Sequence, residues 1–185
     1  ACLVEGHMQK HGLKMVLDDG AAGFKKLEGG AIEVQASSGN TFPADIVILA
    51  IGVRPDTTLA KSAGLTIGER GGILVDEQMR TSDPDIFAVG DAVEVKDFMT
   101  GEQSLIALAG PANRQGRIAA DVICGRDAKY RGTQGTSIIG LFGGAAAWTG
   151  VSEKTLKRRG DTDYEKLYYF GNSHAGYFPG AKLMG

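Results

Sequence analysis

Apolar positions along the chain come in short blocks separated by polar residues and glycines, a pattern that predicts many short elements. The first twelve residues predict the end of a helix that Gly12 terminates, because glycine is favoured just past the last helical turn. Residues 13–17 alternate and predict a strand. Two further strand-like segments are joined by Gly29 and Gly30, which predicts a β-hairpin.

Two uninterrupted apolar runs, at residues 46–51 and 86–89, have the length of strands that are covered on both faces. Each run is followed directly by a glycine, Gly52 in the first case and Gly90 in the second. Asp91 comes next after the second run. We therefore expect two buried strands, the second of which delivers a carboxylate at its C-terminal end.

Helical patterns cover residues 57–63 and 111–124, the second with Pro111 at its first position and Gly125 just past its end. The predicted apolar face of this second helix consists of Ile118, Ala119, Val122 and Ile123. Cys124, on the same side, is expected to be a small core residue.

Beyond Arg131 the sequence favours glycine-punctuated strands, then a short helix with Ser152 as its N-cap and Gly160 as its stop. The segment at residues 164–171 predicts another strand. Four aromatic side chains are expected to fill a core or a dimer contact rather than to bind a cofactor: Trp148, Tyr168, Tyr169 and Phe170.

Charge and cysteine content narrow the function classes. The net charge of −2 and a pI near 5.9 give no electrostatic argument for a nucleic-acid or membrane partner. Cys2 and Cys124 lie far apart and form no CxxC pair, which is compatible with a cytoplasmic setting. No apolar run approaches the ~18 residues needed to span a bilayer, so neither nucleic acid nor membrane is an expected partner.

Three local features predict a ligand site. Ligands of open α/β sheets bind at the carboxyl ends of strands, where Gly90 permits close approach and Asp91 offers a carboxylate to the hydroxyls of a ribose or polyol. A turn at residues 83–85 precedes that strand. The helix beginning near Gly110 has no bulky side chain in its first turn, so its free N–H groups and positive dipole can meet an electron-rich atom. Besides the strand end at Gly90–Asp91 and this helix N-terminus, the third feature is the strand that ends at Gly52.

Each functional interpretation of these residues has a purely structural alternative. The Gly90–Asp91 pair also occurs at ordinary strand ends. His7 and His11 have the spacing of two metal ligands on a helix, yet no third ligand is apparent and an exposed helix end explains them. The basic residues 157–159 suit a phosphate, but cations also complement the dipole at a helix C-terminus.

Taken together, four segments carry a family resemblance: "AIGVRPD", "TSDPDIFAVGD", "EVKDFMTGEQSLIALAGPANRQGRIAADVICG" and "HAGYFPGA". They resemble the second half of the flavoprotein pyridine nucleotide–disulfide oxidoreductases. The third segment is similar to the branch that holds coenzyme A disulfide reductase, NADH oxidase and NADH peroxidase. The resemblance covers the whole chain.

The resemblance implies an α/β fold with partial FAD- and NAD(P)-binding Rossmann-like domains, followed by the beginning of an α+β dimerisation domain. Residues 1–52 are the expected remnant of the NAD(P)-binding domain. Residues 53–132 would be the C-terminal part of the FAD-binding domain, and residues 133–185 the start of the dimerisation domain. A homodimer through the C-terminal segment is therefore expected.

The resemblance also implies residue roles. Asp91 would hydrogen-bond the ribityl hydroxyls of FAD, and Gly90 would permit the close approach. Since reduction places negative charge near N1 and the C2 oxygen of the flavin, a positive helix end there is favourable. The positions expected to face that pyrimidine edge are Leu108, Ala109, Gly110 and Pro111. Gly52, in the link between the nucleotide domains, is counted with the cofactor-binding positions, while His174 or Tyr177 would line a thiol-substrate pocket across the dimer interface.

The sequence contains no GxGxxG, and the family's redox cysteine lies upstream of the matching portion, so neither cysteine here is expected to be catalytic. No metal is expected. The chain is predicted to be a C-terminal piece, inactive alone, of an FAD-dependent enzyme. That enzyme would use NAD(P)H to reduce a disulfide such as coenzyme A disulfide, or oxygen, or peroxide. The alternative is a non-catalytic module for dimerisation or ligand binding.

Overall fold

The computed structural model describes residues 2–182, which mix helices and short strands and divide into two compact units at Val53–Arg54. Among the described residues, no helix is both long and apolar enough to cross a membrane. The α/β class predicted from the sequence is confirmed.

The first unit is a helix followed by a three-stranded antiparallel meander. Helix α1 spans Cys2–Lys10, and strands β1, β2 and β3 span Ala21–Lys26, Ile32–Ala36 and Thr41–Ala44. A 3₁₀ turn, Glu28–Gly30, joins β1 to β2 as the predicted hairpin, with Gly29 and Gly30 at positive φ values of 84° and 95°. Residues 13–17 form no strand, since they have no hydrogen-bonded neighbour strand among the described residues.

The second unit contains three helices and five strands in its described part. Its helices are α2 (Thr58–Ser62), α3 (Ala109–Ile123) and α4 (Glu153–Arg159). Its strands are β4 (Ile73–Leu74), β5 (Val93–Lys96), β6 (Gln103–Ser104), β7 (Ser137–Leu141) and β8 (Gly144–Trp148). Strand β5 pairs parallel to β4 and antiparallel to β6, while β7 and β8 form a hairpin.

The core of this unit forms where one face of α3 packs against β5 and the loops beside it. Its buried apolar residues are Met79, Val93, Val95, Ile118, Ala119, Val122 and Tyr130. Three of the four predicted α3 positions are therefore buried, but Ile123 is 65% exposed and the prediction for it was wrong. Five residues after Ile118, a side chain is rotated by roughly 140° around the helix and leaves the buried face. Cys124, the C-cap residue, is also exposed, so its expected core position was wrong.

Helix α3 begins two residues before its predicted start. Leu108 is the N-cap, and Pro111 lies in the first turn rather than at the first helical position. Proline fits there because the first-turn N–H groups have no intrahelical acceptor to lose. Gly125 follows the helix end as predicted.

Neither apolar run is a regular strand. Residues 46–51 lie outside any helix or strand, and all of them except the half-buried Val47 are exposed, with Ile48 at 86%. Residues 86–89 form one bridge, between Phe87 and Arg80, and Phe87 and Ala88 pack against the core. The expected burial is thus absent from the first run and partial in the second.

At the C-terminal side, the predicted N-cap of α4 is confirmed, since the Thr155 N–H donates to Ser152 Oγ at 3.2 Å. Residues 164–171 do not form the expected strand. The aromatic residues Trp148, Tyr168, Tyr169 and Phe170 are exposed, so they fill no core within this chain, and the alternative expectation of a dimer contact stays a prediction.

Candidate functional site

A hydrogen-bonded turn shapes the approach to Gly90. The Thr81 hydroxyl donates to the Asp83 carbonyl at 3.0 Å and accepts from the Asp83 N–H at 3.2 Å. The Asp83 carboxylate accepts from the Asp85 N–H at 2.9 Å, which confirms the predicted turn. The chain then enters the segment that packs on the core and leads to Gly90.

Gly90 is held by helix α3. Its N–H donates to the side-chain oxygen of Gln115 at 2.8 Å. Its φ of 91° lies in the left-handed region that favours glycine, while a Cβ on it would meet nothing within 4 Å. The backbone conformation, rather than crowding within this chain, therefore requires glycine, and the space beside it is open.

Asp91 follows as an exposed carboxylate. It makes no hydrogen bond or ion pair to the part of the chain that the structure describes. A carboxylate with its acceptor sites open suits a ligand that carries several hydroxyl donors. Its predicted contact with ribityl hydroxyls stays a prediction.

The other half of the candidate site is the N-terminus of α3. Ala109 and Gly110 are exposed, and no side chain caps the helix at Leu108. Asn113 instead donates its side-chain amide to the Ala109 carbonyl at 2.9 Å. The first-turn amides thus keep the partial positive charge of a helix N-terminus, as the sequence predicted.

Three predicted positions, Leu108, Gly110 and Pro111, line one groove of about 420 Å³. Arg114 and Arg131 also line it, so positive side chains reinforce the positive helix end. Neither Gly90 nor Asp91 lines this groove. The structure connects the two halves of the candidate site through the body of α3, from Gln115 back to its first turn.

The remaining predicted positions lie elsewhere in the chain. Gly52 belongs to the first unit, which ends at Val53. His174 stacks on Phe178 with ring centroids 5.0 Å apart, and its Nδ1 lies 3.1 Å from Ser173 Oγ. Tyr177 is 90% exposed. A substrate role for His174 and Tyr177 stays a prediction.

The basic and histidine-containing segments have local partners. Lys157 pairs with Glu153 at 3.0 Å, and Arg159 pairs with Glu102 at 2.9 Å, so these cations take part in surface ion pairs. His11 Nδ1 lies 2.9 Å from the His7 carbonyl. Within the described residues, no group of three or more His, Cys, Asp or Glu side chains is arranged to hold a metal ion.

Sequence reasoning missed Gln115, which is 1% exposed and ties Gly90 to α3. The sequence did contain a signal that Gln115 is buried. Gln115 precedes Ile118, Ala119 and Val122 at the i, i+3, i+4 and i+7 spacing of one helix face, so periodicity alone places it on the buried side. A polar residue at such a position needs a hydrogen-bond partner, and Gly90 provides it.

It also missed Glu94, a fully buried carboxylate on β5. One carboxylate oxygen accepts from the backbone N–H groups of Arg70 and Gly72, at 2.8 and 3.0 Å. A Cβ on Gly68 would overlap the same carboxylate. Glu94 therefore anchors the tight loop at residues 68–72 to the strand that begins just after Asp91.

Comparison with known proteins identifies the class. Residues 1–116, which include both halves of the candidate site, match the pyridine nucleotide-disulphide oxidoreductase family. The chain therefore belongs to this family, and the predicted resemblance is confirmed.

Named relatives and a solved structure agree with this family assignment. The chain is 34% identical over 151 residues to an NAD(P)H sulfur oxidoreductase (CoA-dependent) of Pyrococcus furiosus, covering 82% of this chain and 34% of the relative. It is 33% identical over 177 residues to an NADH oxidase of Enterococcus faecalis, covering 96% and 39%. The structure of reduced Bacillus anthracis CoADR-RHD superposes with a TM-score of 0.90 at 48% identity, covering 99% and 32%. The chain spans about a third of these proteins' lengths.

Proposed function

We propose that this chain supplies flavin contacts and part of a subunit interface to an FAD-dependent oxidoreductase that uses NAD(P)H. The family match across both halves of the candidate site supports this function. The proposed acceptors are a small disulfide such as coenzyme A disulfide, oxygen, or peroxide. The Pyrococcus furiosus relative is named a CoA-dependent NAD(P)H sulfur oxidoreductase and the Enterococcus faecalis relative an NADH oxidase, which supports a sulfur compound and oxygen among the proposed acceptors.

One observation carries the proposal: a hydrogen bond from the Gly90 N–H to Gln115 ties the segment ending in Asp91 to helix α3. The first-turn N–H groups of that helix have no side-chain cap and are called its bare amides here. An open carboxylate and an uncapped helix N-terminus form a donor and acceptor set that fits a molecule with a polyol chain and an electron-rich ring. FAD supplies hydride acceptance and electron transfer when bound.

In this proposal the residues of the chain bind and orient. Asp91 accepts hydrogen bonds from the ribityl hydroxyls, with Gly90 leaving room beside the backbone. The first-turn amides of α3 at Ala109 and Gly110 face the pyrimidine edge and stabilise negative charge there by about 0.3–2 kcal/mol. Because that charge grows on reduction, these amides favour the reduced state of the flavin.

The remaining roles belong to the same proposal. Residues 1–52, 53–132 and 133–185 would be parts of an NAD(P)-binding, an FAD-binding and a dimerisation domain. The exposed aromatic side chains near Tyr168 suit a homodimer contact, and His174 or Tyr177 would face a thiol substrate across it. We place the enzyme in the cytoplasm, because Cys2 and Cys124 lie far apart in the sequence and form no CxxC pair.

The experiment is a flavin assay on the full-length protein. It should purify yellow, with a flavin absorption band that bleaches when NADH or NADPH is added anaerobically. Reoxidation by oxygen, peroxide or coenzyme A disulfide, each added separately, would then identify the acceptor. A colourless protein that cannot be reconstituted with FAD would contradict the proposal and favour a non-catalytic module.

A further inference from the structure

We propose that Gln115 is a positioning residue for the flavin site: its buried side-chain oxygen fixes the Gly90 amide and thereby the direction of the Asp91 carboxylate. This inference rests on the proposed function, because it assigns Gln115 an effect on FAD binding. It adds a residue that does not itself contact the ligand but lies further along α3, the helix whose first turn does.

The first step is the burial of Gln115. The buried face of α3 consists of Gln115, Ile118, Ala119 and Val122, and Gln115 is its only polar member. At 1% exposure, an amide side chain without a partner would destabilise the fold, whereas an apolar residue of similar size would carry no such cost. The 2.8 Å bond from the Gly90 N–H gives the polar side chain a reason to be there.

The second step is the conformation of Gly90. With a φ of 91°, Gly90 makes the bend that separates the packed segment from Asp91. Its N–H is fixed by Gln115, and Val93 donates to the Gly90 carbonyl at 3.4 Å. Both the N–H and the carbonyl of Gly90 are therefore hydrogen-bonded. Because the Gly90 backbone is fixed, the backbone of Asp91 and the direction in which its exposed side chain leaves are fixed as well.

The third step is that Gln115 and the bare amides belong to one rigid helix. Gln115 lies six positions after Ala109, which corresponds to roughly 9 Å along the helix axis. The Gln115–Gly90 bond therefore sets the distance between the Asp91 carboxylate and the N-terminus of α3. A cofactor that contacts both ends binds more tightly when that distance is fixed before it arrives.

The test is a double-mutant cycle in the full-length protein, read as the FAD dissociation constant of the apoprotein. Gln115→Met keeps the length and bulk of the side chain but removes the acceptor. We expect it to weaken FAD binding about five- to twentyfold, the loss expected from one hydrogen bond that orients the site. In an Asp91→Ala background the same change should cost less than about threefold, because the carboxylate that Gln115 positions is gone.

A matched variant completes the design. Arg117→Met introduces the same new side chain on an exposed position of the same helix and should leave FAD binding unchanged. If Gln115→Met does not fold, Gln115→Leu carries the same expectation, since it is also apolar and offers no acceptor to the Gly90 amide.

The outcomes distinguish a failure of the Gln115 inference from a failure of the proposed flavin function. An equal loss from Gln115→Met with and without Asp91 would mean that Gln115 only packs the helix, which overturns the inference. Unchanged FAD binding in Gln115→Met, with a clear loss in Asp91→Ala, overturns the inference and leaves the proposed function standing. Unchanged FAD binding in Asp91→Ala overturns the flavin role of Asp91 and, with it, the role of Gln115.

Discussion

The apolar runs at residues 46–51 and 86–89 are similar in composition and each is followed by a glycine, yet only the second packs against a core. Ile48 in the first run is 86% exposed. In the second run, Phe87 and Ala88 contact the cluster formed by α3 and β5, and the Arg80 guanidinium lies 5.4 Å from the centre of the Phe87 ring. The difference lies in what surrounds each run.

A run of apolar side chains becomes a core only when a second layer covers it. In the second unit that layer is α3, whose Ile118 and Val122 reach the same cluster as Val93 on β5. The described residues of the first unit offer an antiparallel meander in which only Ala36 is buried among the apolar side chains. The candidate flavin site accordingly lies in the unit that has both layers.

The largest expected effect tests this difference directly. In the 185-residue chain, Ile118→Ala removes buried side-chain volume beneath α3 and should lower the free energy of unfolding by about 2–5 kcal/mol. Ile48→Ala makes the same truncation at an exposed position and should change it by about 0.5 kcal/mol or less. Urea unfolding of both variants measures the two values. Similar losses in both would remove the distinction between the two runs.

A second prediction asks whether polar contacts also hold the packed region. Glu94→Ala leaves the Arg70 and Gly72 amides without their acceptor, so it should lower the free energy of unfolding by about 1–3 kcal/mol. Glu94→Gln retains one side-chain oxygen and should lose less. Glu69→Ala, in the same loop but exposed, is the control. If Glu94→Ala were as mild as Glu69→Ala in urea unfolding, apolar burial alone would account for the region.

Local features of the fold were predictable from the sequence because their causes lie within a few residues. The Gly29–Gly30 hairpin and the Ser152 N-cap both formed as expected. Each depends on a short-range rule, either a φ value that glycine permits or a hydroxyl placed to accept from an N–H three residues later.

Non-local burial was harder to predict. The exposure of residues 46–51 depends on layers that a single run does not specify. Glu94 lies between Val93 and Val95, so alternation assigns it to the opposite face of β5 and does not reveal that the loop at residues 68–72 covers that face. Gln115 was predictable as a buried position from helical spacing, but its partner Gly90 comes from a distant part of the chain.

Sequence motifs singled out Gly90, Asp91 and the start of α3, and the structure gives Gly90 a positive φ, Asp91 an exposed side chain and α3 no side-chain cap. Their role as ligand contacts stays a prediction. The hydrogen bond that connects them was not predictable, because its acceptor is a side chain that a motif comparison treats as part of a helix.

The smallest expected effect concerns the exposed polar contacts that hold α4, where no apolar residue is buried. The Lys166 ammonium donates to Glu153 at 2.7 Å and Lys157 lies 3.0 Å away, which lowers the pKa of Glu153 from its ordinary 4.5 to about 2. A lowered folded-state pKa contributes stability above pH 4.5, and that contribution is lost as the pH falls through about 2.

The melting temperature of Glu153→Gln in the 185-residue chain should therefore lie slightly below that of wild type at pH 7, with the gap closing as the pH falls toward 2. Glu165→Gln, on an exposed neighbouring position, should show no such gap. A difference for Glu153→Gln that did not depend on pH would mean that packing, rather than charge, holds α4, and the contrast between packed and exposed regions would then need a different physical basis.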